Sequence, residues 1–121
     1  FMAPHSRNTE IPQDLLEADE RITILADSLQ AGVFLCMADE GRQIFVMGHP
    51  EYDRMTLDSE YKRDMGRGLN PQIPENYYPD DDPENKPVLT WRSHANNLYT
   101  NWVNYYVYQQ TPYDLYGENK K

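Results

Sequence analysis

The spacing of apolar positions divides the chain into a short helix, three strands, and two longer helices separated by a loop. Residues 1–12 are mostly polar, include Pro4 and Pro12, and read as a loop. Pro12 suits the first position of a helix, where its missing N–H has no intrahelical partner to lose. Residues 13–20 are predicted to add two helical turns carrying Leu15 and Leu16. Three strands are predicted to follow: residues 22–26, which alternate as Ile22, Thr23 and Ile24; Gly32–Ala38, a continuous apolar run from Val33 to Met37; and residues 43–47, which are β-branched and aromatic and stop at Gly48. Asp39, Glu40, Gly41 and Arg42 predict a hairpin turn between the last two.

After Gly48 the period becomes helical. Leu57, Tyr61, Met65 and Leu69 fall four apart and predict one helix over residues 56–69, weakened at its end by Gly66 and Gly68 and stopped by Pro71. Residues 70–87 hold five of the nine prolines and predict an extended loop without regular structure. So long a loop in a small domain suggests wrapping over something larger. A last helix is predicted over residues 90–110, with Thr90 as N-cap and Leu98, Trp102, Tyr105 and Tyr106 at helical spacing.

Composition adds that the folded core is thin. Val, Ile, Leu and Phe number 23 among 121 residues, offset by ten Tyr and two Trp, each able to bury a large ring. The length allows one domain at most. A net charge of −9 disfavours phosphate backbones and anionic lipid surfaces, so neither a nucleic-acid nor a membrane partner is expected. No apolar run reaches the roughly 18 residues of a transmembrane helix. The single thiol, Cys36, excludes an internal disulfide framework and favours a reducing, cytoplasmic setting.

Candidate chemistry concentrates just past the third strand, in Gly48-His49-Pro50-Glu51-Tyr52-Asp53. Open α/β sheets place their sites at the carboxyl ends of strands. Pro50 restricts the backbone so that the Glu51 carboxylate can reach one imidazole nitrogen of His49, leaving the other to take a proton. A plain surface loop is the competing reading. The expected nucleophile of such a triad is not Cys36, which lies inside an apolar strand and reads as a small hydrophobe. No serine sits in a Gly-x-Ser-x-Gly elbow. Arg63 is read either as a surface ion-pair partner or as a fork for a substrate carboxylate. His5, His49 and His94 lack metal-ligand spacing. Asp80, Asp81, Asp82 and Glu84 lack the alternating ligands and central glycine of a calcium loop, so no metal is expected.

A series of motifs carries a resemblance over nearly the whole chain. Ala3-Pro4-His5-Ser6-Arg7, the His49 motif, Asn76-Tyr77-Tyr78-Pro79, Asp82-Pro83, Trp91-Arg92-Ser93-His94, the aromatic run from Asn101 to Gln109, and Thr111-Pro112-Tyr113-Asp114-Leu115 stand in the order found in homoserine O-acyltransferases. The chain resembles the C-terminal portion of the homoserine O-succinyltransferase family. Met47 and Ala95 depart from the family pattern, which has a small polar residue and a glycine there.

The resemblance implies an α/β fold, the class I glutamine-amidotransferase-like three-layer sandwich with a central, largely parallel sheet. Residues 1–121 would be the C-terminal part of a single catalytic domain, its nucleophile-bearing N-terminal part lying upstream of Phe1. It implies acyl transfer from succinyl-CoA or acetyl-CoA to the hydroxyl of L-homoserine through a cysteine thioester, in methionine biosynthesis, by a cytoplasmic homodimer. Acyl-CoA would be a co-substrate, with no cofactor bound permanently. His49 corresponds to the family's catalytic base and Glu51 to its orienting acid, while Ser6 and Arg63 correspond to positions that bind the amino-acid substrate. Two other readings remain: a glutaminase or hydrolase of the same fold, and a non-catalytic acidic module that recognises a protein partner.

Overall fold

The computed structural model describes residues 1–109, which divide into two compact units: Phe1–Glu10 with Met47–Ala95, and Ile11–Val46 with residues 96–109. The candidate C-terminal motif at residues 111–115 and the tail beyond it lie outside the described residues.

All strands among the described residues belong to the second unit. β1 (Ile22–Ser28), β2 (Gly32–Ala38) and β3 (Gln43–Val46) form a sheet in that order, antiparallel at both pairings, with Cys36 opposite Ile24 on one side and Phe45 on the other. Helices and a small antiparallel sheet thus make the chain α/β. No parallel pair occurs among the described residues: the strand connections, 29–31 and 39–42, are far too short for the crossover a parallel pair requires. β1 runs to Ser28, two residues past its predicted end. Its turn forms only there, where the Ser28 hydroxyl accepts the backbone N–H groups of Gln30 and Ala31, both at 3.2 Å. The register shifts around Ala26, as at a β-bulge.

The predicted hairpin turn is a single 3-10 turn, Asp39–Gly41, closed by the Arg42 N–H donating to the Asp39 carbonyl at 3.0 Å. Gly41 is required there on two counts. Its φ of +87° is a left-handed conformation, and a Cβ would run into the ring of Tyr106. α1 (Gln13–Glu17) is shorter than its predicted span. Asp19 accepts the Arg21 backbone N–H at 3.0 Å and its guanidinium at 2.9 and 2.7 Å, which turns the chain into β1 instead of continuing the helix. Leu16, Val33, Phe34 and Cys36 are buried.

The first unit is built around α2 (Thr56–Gly66), which stops three residues before its predicted end. The Gly68 N–H donates to the Met65 carbonyl and the Leu69 N–H to the Asp64 carbonyl, both at 3.1 Å. With φ +72° at Gly68, this is a Schellman ending. Only the first half of the predicted stripe is covered: Leu57 is buried and Tyr61 packs beside it, whereas Met65 and Leu69 are exposed.

Against α2 sits a cluster of Leu57, Tyr77, Tyr78 and Trp91, flanked by Tyr52, Tyr61 and Leu89. The proline-rich loop therefore lies on α2 of its own unit, pinned by two tyrosines whose rings meet edge-on at 4.7 Å. The Tyr77 hydroxyl donates to the Arg54 carbonyl and accepts the Asp58 N–H, and the Tyr78 hydroxyl donates to the Asp58 carboxylate at 2.7 Å. One 3-10 turn, Pro79–Asp81, interrupts the predicted irregularity. α3 (Arg92–Asn101) opens with the Ala95 N–H donating to the Trp91 carbonyl at 2.9 Å, so Trp91 and not Thr90 occupies the N-cap position. A π-helical stretch, Trp102–Tyr108, continues it.

Candidate active site

The site begins as a turn. Tyr52 N–H donates to the His49 carbonyl at 3.0 Å, closing a four-residue turn with Pro50 second, where its fixed φ is already correct. The His49 N–H donates to the Pro4 carbonyl at 2.8 Å, which brings the segment holding Ser6 alongside. The turn folds the Glu51 carboxylate back, so that Oε1 lies 2.8 Å from His49 Nδ1. The Tyr52 ring lies against the imidazole, centroids 4.4 Å apart and planes within 11°.

Asp53 then starts α2. Its Oδ1 accepts the Met55 N–H at 2.9 Å and the Thr56 hydroxyl at 3.0 Å. The Met55 N–H first, then the Thr56 hydroxyl, hold its carboxyl below the usual carboxylate range. One turn along α2, Glu60 accepts two hydroxyls at once: Tyr52 on Oε1 and Ser6 on Oε2, each at 2.7 Å. Burial first, and then this carboxylate, push the Tyr52 phenol up to about 12, so it remains a neutral donor at physiological pH. The Trp91 indole N–H donates to the Tyr52 carbonyl at 2.9 Å and fixes that residue from its other end.

Arg63 follows Glu60 by three residues, on a neighbouring position of the helix surface. Its Nε donates to Asp64 Oδ1 at 3.0 Å and its side chain is half-exposed. Asp64 chiefly, with Glu60 and Tyr52 adding, raises the guanidinium above its ordinary value. His5 lies close enough to respond to His49: burial first, then Arg7 and His49, push its imidazole below the usual value.

The structure therefore brings Ser6, His49, Glu51 and Arg63 into one unit. Ser6 reaches His49 through Tyr52, which sequence reasoning placed in the motif without a role, and Glu60, which it did not single out. Glu60 left a signal: Thr56, Glu60 and Arg63 make a polar stripe at helical spacing beside the apolar one. Cys36 lies in the other unit, almost wholly buried, and burial pushes its thiol up, away from the thiolate a nucleophile needs. His94 stacks on Phe1 at 5.3 Å. Asp81 and Asp82 spend a carboxylate oxygen each on the backbone N–H groups of Asn76 and Glu84. Among the described residues no three His, Cys, Asp or Glu side chains are grouped to hold a metal ion. No helix among them is long and apolar enough to cross a membrane.

Chemically, a carboxylate on Nδ1 holds the imidazole in the tautomer with Nε2 free to accept a proton, and stabilises the imidazolium that results. A pair so arranged is chemically able to serve as a general base toward a nucleophile or a substrate hydroxyl.

Comparison with known proteins supplies the family. The family model for homoserine O-succinyltransferase matches residues 1–113. A homoserine O-acetyltransferase of Lachnospira eligens is 63% identical over 115 residues, which are 95% of this chain and 37% of that protein. A homoserine O-succinyltransferase of Pseudoalteromonas atlantica is 54% identical over 121 residues, 100% of this chain and 39% of that protein. A homoserine O-acetyltransferase of Bacteroides thetaiotaomicron is 53% identical over 116 residues, 95% of this chain and 38% of that protein. The chain spans less than two-fifths of the length of these curated relatives, and it belongs to the homoserine O-succinyltransferase family.

Proposed function

We propose that this chain supplies the proton-transferring half of a homoserine O-acyltransferase. The observation that carries the reading is the His49–Glu51 contact at 2.8 Å, in a chain whose relatives are named homoserine O-acetyltransferase and O-succinyltransferase. The domain is a class I glutamine-amidotransferase-like three-layer sandwich, completed by an upstream portion that carries the nucleophilic cysteine. The protein works in the cytoplasm as a homodimer, in methionine biosynthesis.

The chemistry divides into two transfers. In the first, His49 Nε2 takes the proton of the upstream cysteine thiol, and the thiolate attacks the carbonyl carbon of succinyl-CoA or acetyl-CoA. The bond to the CoA sulfur breaks, and CoA leaves with the proton from His49. In the second, His49 takes the proton of the homoserine hydroxyl, whose oxygen attacks the thioester. The carbon–sulfur bond breaks, O-acylhomoserine leaves, and the cysteine recovers its proton. Splitting the reaction lowers each barrier, since a thiolate is both a good nucleophile and a fair leaving group. Glu51 orients the imidazole and stabilises its cation in both steps. Arg63 receives the homoserine carboxylate in its guanidinium fork, with Ser6 beside it, and so places the hydroxyl near the thioester.

The names of the relatives favour this reading over a glutaminase or an acidic interaction module. The deciding assay offers the full-length protein acyl-CoA with homoserine, and separately glutamine. O-acylhomoserine formation without ammonia release from glutamine is expected. Ammonia release without acyl-CoA consumption would instead make it a glutaminase.

A further inference from the structure

The flat face of the His49 imidazole is covered by a residue to which neither the motif pattern nor the two-step chemistry gives a part. We propose that Tyr52 is a positioning residue for His49, its ring acting as a fixed plate that sets the plane of the imidazole; this rests on His49 being the general base. A carboxylate on Nδ1 fixes only one point of the imidazole and leaves it free to swing about that bond. A second constraint is needed if Nε2 is to face one reacting proton after another. The parallel ring, 4.4 Å away at 11°, supplies it by excluding one side of that swing.

A plate must itself be held. Tyr52 is fixed at three points: its N–H on the His49 carbonyl at 3.0 Å, its carbonyl on the Trp91 indole at 2.9 Å, and its hydroxyl on Glu60 at 2.7 Å. Tyr52 also packs against the buried cluster of Leu57, Tyr77, Tyr78 and Trp91. Imidazole orientation is thus referred to the core of its unit, although Glu51 itself is more than half exposed at 55%. Cation–π attraction favours the same stacked geometry when the imidazole is protonated in mid-reaction.

Three full-length variants separate the ring from its hydroxyl. Tyr52→Phe keeps the plate and loses one tether, and should hold kcat within about threefold. Tyr52→Leu, and Tyr52→Met should the leucine variant melt below assay temperature, remove the plate. They should lower kcat about 10- to 100-fold, the range of a misplaced reacting group, with KM for homoserine and acyl-CoA little changed. Rescue by phenylalanine is the signature a merely structural role would not give. Leucine and phenylalanine variants of equal kcat would overturn the proposal, as would losses confined to KM. In the unsubstituted protein, the His49 ring protons, identified by their disappearance in His49→Ala, should resonate upfield from the tyrosine ring current. Unshifted ring protons would overturn the stacking even if every variant at position 52 failed to fold. The dependence on His49 is tested separately: an active His49→Ala protein would remove the base itself, whereas an inactive His49→Ala protein together with unshifted His49 ring protons in the unsubstituted protein would remove only the plate.

Discussion

Glu51 Oε1 lies 2.8 Å from His49 Nδ1 across a single intervening proline. The contact is made by a turn, not by distant elements, so the imidazole and the carboxylate form one local unit. Replacing Glu51 with Gln keeps the size of the side chain and removes the charge that stabilises imidazolium. In the full-length protein we expect kcat to fall about 10²- to 10⁴-fold, with KM values near normal. Steady-state kinetics with both substrates varied check this, and an unchanged kcat would leave Glu51 as a surface partner of the histidine.

Arg63 is expected to act in binding. Its ion pair with Asp64 is exposed and adjacent in sequence, so losing it should scarcely affect stability. Arg63→Ala should raise the homoserine KM about 10- to 100-fold, the size of lost charge-assisted hydrogen bonds, and leave the acyl-CoA KM unchanged. Arg63→Lys should recover only part of the loss, because one ammonium cannot match a fork.

Much of this site was legible in the sequence because its central pieces are neighbours. His49, Pro50 and Glu51 declare their turn without help from tertiary structure. Ser6 and Glu60 stand 54 residues apart and share a hydrogen bond that no local pattern announces. Tyr77 and Tyr78 lie in a proline-rich stretch without periodicity, yet they form the wall of the core. Conversely, the stripe ending in Met65 and Leu69 promised a longer buried face than α2 has. The left-handed turn at Gly68 redirects the chain before that face is used. The three strands were visible from β-branched and apolar runs, and the hairpin from its turn residues. The end of β1 depended on a serine hydroxyl whose role only the folded turn defines.

Asp58 gives the unit an acid-sensitive joint. Burial pushes its carboxyl up, but the Tyr78 hydroxyl and then Lys62 outweigh it, so the folded value lies below 3.8. A depressed carboxyl contributes stability above its unfolded pKa and loses it as pH falls through the folded value. Unfolding in urea should therefore show stability declining below about pH 4, with Asp58 as one contributor. Asp58→Asn should cost about 1–3 kcal/mol near pH 7 and flatten that decline. An unaltered acid limb in the variant would place the effect elsewhere.

The end of α2 offers a paired control on the fold itself. Gly66 lies within the helix with nothing near a Cβ, so Gly66→Ala should stabilise by about 0.5–1 kcal/mol. Gly68 has φ +72°, and Gly68→Ala should destabilise by about 1 kcal/mol. Thermal melts of the two variants should move in opposite directions. Equal shifts would mean that the helix ends elsewhere.

The most direct measurement is O-acylhomoserine formation by the full-length protein with His49→Ala, followed in parallel with its melting temperature. A folded protein with activity reduced about 10²-fold or more is expected if His49 moves the protons of both transfers. A folded variant that forms O-acylhomoserine at the unsubstituted rate would contradict it.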